Sequence, residues 1–529
     1  MPKATWLIII IESDGNQHFK NQIYRTLLHK SNGMKAQPKP QTASATSNRR
    51  YIYVGLLILI LQLLFHLSVD ALPIAQKSNM QKDTLSATIE RLLNDSQALT
   101  TLNFPITVKK FYTQHSFDGA WVKDDENIKP ATDAMLLLDC VSQYGLNKEN
   151  YHPKELTYGL LHDVLNKENL ASNEQKAVFD ILLTDAMVSM IYHLHYGAFN
   201  PVLTDKILDT GSLGDLQATS FLTGSLKQKD LMAAILKAQP QVKDYIELQN
   251  YMRLITGQYI CDSYEVPQTE VQNIAINMER LRWVNWNSGS FVCINIPSFS
   301  LSYQQADTTY EFKVVVGKGK TPTPTLESQI KYLETAPDWK VPQSIFVKEF
   351  IPKAFKDSTY FDQNHMAVYD SQENFVKIGK STLEKIKLHP QNYHAKQTAG
   401  CDNALGKVVF RFPNAYDIYL HDSPEQQLFK STSRAYSHGC IRVANAELLA
   451  ELLLKADQQP TKIATLQTAM KAYTKKTFLL KRPVPVIITY LTCAVKDGLL
   501  QYYDDVYQLD SSLSLKMYGN TNQLTKNQP

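Results

Sequence analysis

The apolar positions of this chain change period near its middle. Between about residues 78 and 260 they recur at three- and four-residue spacings, as at Leu85, Ile89, Leu92 and Leu93, which predicts helices with one buried face. Ser172 followed by Gln175 matches a capping box. A helix is expected to open there, with Val178, Leu182 and Ala186 on one stripe and Gly197 as its stop. Such stripes predict core packing and carry no chemistry. From about residue 271 the pattern shortens: Phe291–Ile296, Phe312–Val316, Lys407–Phe412 and Tyr416–His421 are rich in β-branched and aromatic residues and predict strands. Asn445 is placed to cap a helix carrying Leu448, Leu449, Leu452 and Leu453, and Val484–Tyr490 predicts a further strand. The expected fold class is multidomain α+β. A mainly α-helical domain (78–265) precedes a β-rich domain with short helices (271–480), then C-terminal strands (481–510) and a polar tail (511–529).

The amino-terminal 75 residues form a leader around one apolar run. Ile52–Val69 spans 18 residues without Asp, Glu, Lys or Arg, closely preceded by Arg49 and Arg50. That length just crosses a bilayer with the basic flank on the cytoplasmic side, which predicts an anchor at 52–69. The same run also suits a secretory signal cleaved near Val69-Asp70-Ala71. Both readings export everything after about residue 75. The basic leader before the run starts at Met1 or, in a shorter form, at Met34.

Composition narrows the class. Apolar residues at 44% and charged residues at 20% exclude a disordered chain and a polytopic membrane protein. Lys plus Arg number 55 against 51 for Asp plus Glu, too even for nucleic acid as the main partner. Six cysteines, Cys140, Cys261, Cys293, Cys401, Cys440 and Cys493, contain no CxxC pair, so neither a disulfide scaffold nor a zinc-finger pattern is present.

Chemistry concentrates between 416 and 443, where the chain reads YDIYLHDSPEQQLFKSTSRAYSHGCIRV. His421 ends a predicted strand, and Ser437-His438-Gly439-Cys440 precedes a predicted loop into a helix. A thiol reacts as the thiolate and needs a nearby imidazole or positive field. His421 meets Cys440 if two neighbouring strand ends come together, while His438 is placed either beside the thiol or facing away. Gly439 admits close substrate approach and leaves amide N–H groups for a developing oxyanion. A buried inert thiol, or a zinc site from His421, His438 and Cys440, are the competing readings of the same residues. The other cysteines read as buried thiols or one opportunistic disulfide.

Tyr419-Leu420-His421-Asp422-Ser423-Pro424, with Leu428-Phe429, Arg434 and Ser437-His438-Gly439-Cys440-Ile441-Arg442-Val443, resembles the active-site signature of the YkuD-type L,D-transpeptidases. The large YcbB-like branch is the nearest match. Ile276–Trp283, Asn295-Ile296-Pro297, Val314–Lys318, Pro337–Pro342, Asn403–Gly406, Pro483–Tyr490 and Asp504–Tyr507 extend the similarity to roughly residues 80–510. The resemblance makes 78–265 a scaffold domain and 271–480 the catalytic domain. Within 343–400, rich in Lys and aromatics, a lid over the substrate cleft is expected.

The resemblance implies Cys440 as nucleophile and His421 as general base, with His438 beside them. It implies that the Asp422 carbonyl orients the imidazole, and that N–H groups of His438, Gly439 and Cys440 stabilise an oxyanion. Arg442, Ser437, Tyr419 and Arg434 are the expected substrate-binding residues, with Arg442 holding either the loop or a peptide carboxylate. No cofactor and no metal are expected. The implied substrates are peptidoglycan stem peptides: the acyl group of a tetrapeptide stem passes through a thioester to a second stem, giving a 3→3 cross-link, in the periplasm. Water as acceptor gives the rival reading, an L,D-carboxypeptidase or stem-peptide hydrolase, and an inactive wall-binding scaffold protein is a third. Two features depart from the branch. Tyr251–Val271 leaves no room for a helical peptidoglycan-binding module, and Cys401 stands where a small or apolar residue is expected. Wall targeting then falls to the tether through the inner membrane, the scaffold or a partner.

Overall fold

The computed structural model describes residues 84–123, 128–166, 170–257, 268–286, 289–306 and 308–519. The apolar run at 52–69, both candidate starts and Cys261 lie outside them. The central element of the helical half is Asn173–Tyr196. It opens on the expected capping box, in which the Ser172 hydroxyl accepts from the Gln175 N–H and the Gln175 side chain reaches back to the Ser172 backbone. It ends at Gly197. The stripe expectation fails here, because from Phe179 onward almost every residue is buried, polar ones included, and Val178 is instead exposed. This helix is also long and apolar enough to span a membrane, but its surroundings are protein core.

Burying Asp180 and Asp185 in that helix requires partners, and the neighbouring chain supplies them. Asp180 accepts from the backbone N–H groups of Ala120, Trp121 and Val122, at 2.7–2.9 Å, and from the Tyr112 hydroxyl. Asp185 accepts from the N–H groups of Asn103 and Phe104, both at 2.9 Å, and contacts His152 Nε2 at 2.6 Å. Asp209 accepts from Ile106 and Thr107, occupying the amino-terminal donors of the helix Pro105–Gln114. Buried carboxylates thus fix loops onto the helical core.

The joint with the second half is the helix Gln268–Arg282, which carries Gln272, Asn277, Glu279, Arg280 and Arg282 buried. Glu279 accepts from the N–H groups of Ala198 and Phe199 and from Trp283 Nε1. Arg282 reaches the Tyr144 carbonyl and the Tyr245 hydroxyl, and Arg280 pairs with Asp510. Asp510–Tyr518 is a helix with Leu513 and Met517 buried against this joint, so the segment expected as a polar tail begins as packed structure. Apolar residues at 513 and 517, one turn apart, provide its buried face.

The β half is built from β1 (Ser290–Asn295), β2 (Ser300–Gln305), β3 (Thr308–Gly317), β4 (Leu326–Thr335), β5 (Trp339–Lys340), β6 (Met366–Asp370), β7 (Tyr393–Gln397), β8 (Val408–Arg411), β9 (Leu420–His421), β10 (Ala435–Ser437), β11 (Ile441–Val443), β12 (Lys476–Thr489), β13 (Cys493–Lys496) and β14 (Leu499–Tyr502). One sheet runs β10-β3-β11-β9-β8-β4-β12-β1-β2, and pairing of β2 with β3 closes it on itself. The helix Ala446–Ala456 packs Leu449, Leu452 and Leu453 into the same core, with Leu448 exposed. Asn445 precedes it at φ 53° without a side-chain capping bond, unlike the expectation.

Residues 343–400 fold as a small subdomain of short helices and the sheet β5-β7-β6, around Val341, Phe346, Phe350, Phe361, Val368, Leu383, Ile386 and Ala395. It has a core of its own and begins already at Trp339.

Candidate active site

The site lies on the face of the closed sheet where β8, β9 and β11 run side by side. β11 pairs in parallel with β9, setting Ile441 opposite Leu420 and Arg442 opposite His421. Leu420, Ile441 and Val443 point into the core and are fully buried. Side chains alternate along a strand, so Tyr419, His421, Cys440 and Arg442 share the other face. One step back along both strands Cys440 stands across from Tyr419, and the Ile441 N–H donates to the Tyr419 carbonyl at 3.1 Å. The two strand ends meet as the sequence required. The Ser437–Cys440 stretch is a tight connection between β10 and β11, not a loop into a helix.

Only Leu420–His421 of the predicted strand Tyr416–His421 forms β9. Asn414 explains the shortening: its Oδ1 accepts from Tyr416 and Ile418, and its Nδ2 donates to the Phe412 and Ile418 carbonyls. These four bonds fold 412–418 into a turn.

His421 is buried, and its Nδ1 lies 2.6 Å from the Asp422 carbonyl oxygen. A carbonyl only accepts, so Nδ1 carries the proton and Nε2 holds the free lone pair. Burial lowers its pKa to about 3, reinforced by the nearby charges of Arg442 and Arg411. The imidazole therefore rests neutral. The Asp422 carboxylate turns the other way and accepts from the Lys407 N–H at 2.9 Å. Gly406, at φ +64°, makes this fit, since a Cβ there would stand 2.5 Å from Asp422 Oδ2.

Cys440 is half-buried. Burial pushes its thiol up, opposed by hydrogen bonds from the Tyr419 backbone and side chain and by the charge of Arg411. At rest the two groups are thus a thiol and a neutral imidazole on one sheet face, not charged partners. Such a pair can pass one proton from sulfur to nitrogen when an electrophile arrives.

Several expected residues turn out to hold the framework. The Ser437 hydroxyl is buried, donates to the Cys440 carbonyl at 2.5 Å and accepts from the Gly439 N–H at 3.1 Å. This corrects both Ser437 as a substrate contact and the Gly439 N–H as a free oxyanion donor in this arrangement. The need for glycine at 439 is real, because its φ is +118°. Arg434 is likewise corrected as a substrate-binding residue. Its guanidinium is spent on the carbonyls of Val314, Ser431 and Phe299, at 2.7–3.1 Å. Arg442 pairs with Glu425 and so ties down the loop after β9. His438 is exposed and faces the subdomain, its Nε2 2.7 Å from Glu349 Oε1 and 3.2 Å from Lys318 Nζ. It does not converge with His421. Among the described residues no group of three or more His, Cys, Asp or Glu is arranged to hold a metal ion.

Sequence reasoning missed Thr323, Arg411 and Glu349. The Thr323 hydroxyl donates to the Gly439 carbonyl at 2.7 Å and accepts from the Gly317 N–H. Tyr507, inside a segment noted for its similarity, accepts from the Thr323 N–H and donates to the Gly317 carbonyl. Cys140, Cys293, Cys401, Cys440 and Cys493 are all free thiols, with Cys401 exposed.

With this geometry in place, the relatives of the chain become informative. Residues 289–485 match the model of the YkuD L,D-transpeptidase catalytic domain, and residues 106–252 match that of the Scaffold domain. A Haemophilus influenzae protein, described provisionally as an L,D-transpeptidase, is 26% identical over 479 residues, covering 85% of this chain and 90% of that protein. The β-rich half is a YkuD L,D-transpeptidase catalytic domain. Joined to the Scaffold domain, it gives the chain the YcbB-like architecture, a helical region followed by a β-rich catalytic domain.

Proposed function

We propose that the chain is a cysteine-dependent L,D-transpeptidase that forms 3→3 cross-links in peptidoglycan. The observation carrying this reading is the register of β9 and β11, which sets Cys440 on one sheet face with His421, whose only free lone pair is on Nε2. His421 takes the Cys440 proton as the thiolate adds to the carbonyl of the third residue of a tetrapeptide stem. The tetrahedral intermediate collapses to a thioester, and the terminal D-Ala leaves with the proton returned by His421. A side-chain amine of a second stem then adds to the thioester and gives its proton to His421, and the thiol is restored. Splitting the transfer into two steps suits an amide, which is a poor electrophile, and the thioester stores enough reactivity for an amine without ATP. Tyr419 borders the thiol, and Arg442 keeps the loop after β9 in place.

This chemistry belongs in the periplasm, with 52–69 as signal or inner-membrane tether. The test is intact mass spectrometry of the wild-type chain and Cys440→Ala with disaccharide-tetrapeptide stems. Transpeptidation predicts an adduct on wild type alone, release of D-Ala and a dimeric product. Tripeptide without dimer would make the chain a hydrolase, and folded protein giving neither adduct nor product would overturn the enzymatic reading.

A further inference from the structure

Two arginines, Arg442 and Arg411, act on the His421 imidazole, and the signature segment holds a third, Arg434. Arg442 is paired with Glu425, and Arg434 is consumed by three carbonyls. Arg411 differs. It ends β8, where Phe410 faces the core opposite Leu420 and Val409 pairs with His421. Alternation therefore turns Arg411 to the same face as His421 and Tyr419. Its guanidinium carbon stands 4.2 Å from the centroid of the Tyr419 ring, a close cation–π stack. Tyr419 in turn is the residue across the strand pair from Cys440, and its ring centroid lies 5.8 Å from that of His421.

We propose that Arg411 is a positioning residue of this active site, holding the Tyr419 ring against Cys440 and keeping a cation beside the sulfur as it becomes a thiolate. The inference rests on Cys440 being the nucleophile, but its mechanism is separate from the identity of the acyl acceptor. A planar guanidinium covers an aromatic face and keeps its charge at any working pH, which neither Lys nor Gln does equally. Oriented from above, the Tyr419 hydroxyl is held where it can donate to sulfur. Tyr419, just before β9, Arg411 of β8 and Asp417 of the preceding turn act on the thiol, and His421 of β9 and Arg442 of β11 share its sheet face. Of these, Asp417 raises the thiol pKa while Tyr419 and Arg411 lower it. Burial remains the largest influence, so the Tyr419–Arg411 pair offsets part of a penalty that the fold itself imposes.

The experiment is site-resolved alkylation of Cys440 by iodoacetamide, followed by peptide mass spectrometry across pH, on the full chain. It needs no stem peptide, so it answers even if the transpeptidase reading fails. Arg411→Met is expected to move the midpoint of Cys440 alkylation up by on the order of one pH unit, the size expected for loss of a cation near a titrating group. Arg411→Lys should recover most of that shift. In a Tyr419→Phe background Arg411→Met should cost clearly less than alone, as for two residues acting as one unit. Where stems are turned over, D-Ala release should fall roughly tenfold in kcat with little change in KM, one decade per pH unit of lost thiolate. If Arg411→Met disrupts folding, as judged by circular dichroism, Arg411→Gln is read against the same expectations. An unmoved alkylation profile in a folded variant, or an effect confined to KM, would overturn the proposal. The latter would make Arg411 a substrate-carboxylate contact instead. Cys440 alkylation that shifts in Arg411→Met while stems are never cleaved would leave the coupling of Arg411 and Tyr419 to the thiol standing and remove the functional reading.

Discussion

His421 donates its Nδ1 proton to the carbonyl of Asp422, its own neighbour in the chain, at 2.6 Å. The orienting partner of the imidazole is therefore backbone. A carbonyl carries no charge to stabilise an imidazolium, and burial with two arginines nearby holds the pKa at about 3. Base strength has been traded for a fixed tautomer and direction.

That trade sets a pH signature. A histidine whose folded pKa lies below its unfolded value stabilises the fold only while neutral. Its contribution is complete above about pH 6.5 and is lost progressively as pH falls toward 3. A shift of that size amounts to on the order of 5 kcal/mol at the acid end. His421→Gln is expected to flatten the fall in denaturant midpoint between pH 6 and 4, measured against wild type by tryptophan fluorescence. Parallel midpoint curves for the two proteins would show that His421 is not the group responsible. By the same logic, the dependence of kcat/KM on pH should show no acid limb near 6.5.

The fit of Gly406 against Asp422 gives a second prediction. Alanine there must adopt φ +64°, which costs about 1 kcal/mol or more. Its Cβ would also displace the Asp422 side chain and, with it, the carbonyl that aims His421. Gly406→Ala should lose at least about tenfold in kcat, in keeping with the cost of a small misplacement of a catalytic group. Removing the obstructing side chain together with its Cβ, which alone would stand 2.6 Å away, should help: Gly406→Ala combined with Asp422→Gly is expected to be no worse than Asp422→Gly alone. Additive losses in D-Ala release would refute the steric account.

How much of this was legible in the chain depends on how local each relationship is. His421, Asp422, Gly439 and Cys440 stand in one short segment, and bringing them to one sheet face required only that the ends of β9 and β11 be neighbours. Arg411 was not legible, because its place above Tyr419 comes from the register of β8 against β9. Arg434 was misread for a related reason. A guanidinium in a motif suggests anion binding, whereas its partners here are carbonyls from Phe299, Val314 and Ser431. The helical half read correctly as helices, but the single-stripe expectation missed that Asn173–Tyr196 is surrounded on every side from Phe179 onward.

The contact between the subdomain and the reactive loop leads to a third prediction. Glu349 sits in Phe346–Phe350, a turn wound wider than an α-helix, as such turns often are at functional sites. Burial alone would raise its carboxyl, but hydrogen bonding and charge from His438 and Lys318 hold it below the usual carboxylate range. Removing it with Glu349→Ala should release the subdomain from the loop. Deuterium uptake at 343–356 is expected to rise several-fold and Cys440 alkylation to quicken, while the melting temperature changes little because a partly exposed pair is worth about 1 kcal/mol or less. If uptake at 343–356 stays at the wild-type level, the contact does not restrain the subdomain.

Stability in the scaffold should hinge on a buried carboxylate rather than on surface pairs. Asp180 is fully buried and gathers the backbone N–H groups of Ala120, Trp121 and Val122 together with the Tyr112 hydroxyl. Asp180→Ala strands the three backbone N–H groups without an acceptor, while the Tyr112 hydroxyl keeps Thr184 Oγ1, and each stranded group costs about 1–3 kcal/mol. Partial relaxation of the 120–122 loop toward solvent would recover some of this, so a net loss of about 3 kcal/mol or more is expected. By contrast, Arg91→Ala breaks an exposed pair with Glu174 and should cost well under about 1 kcal/mol. Urea unfolding of both variants, followed by circular dichroism at the helical signal, distinguishes the two cases. Similar midpoints would mean that the loop, not the Asp180 bonds, carries its own stability.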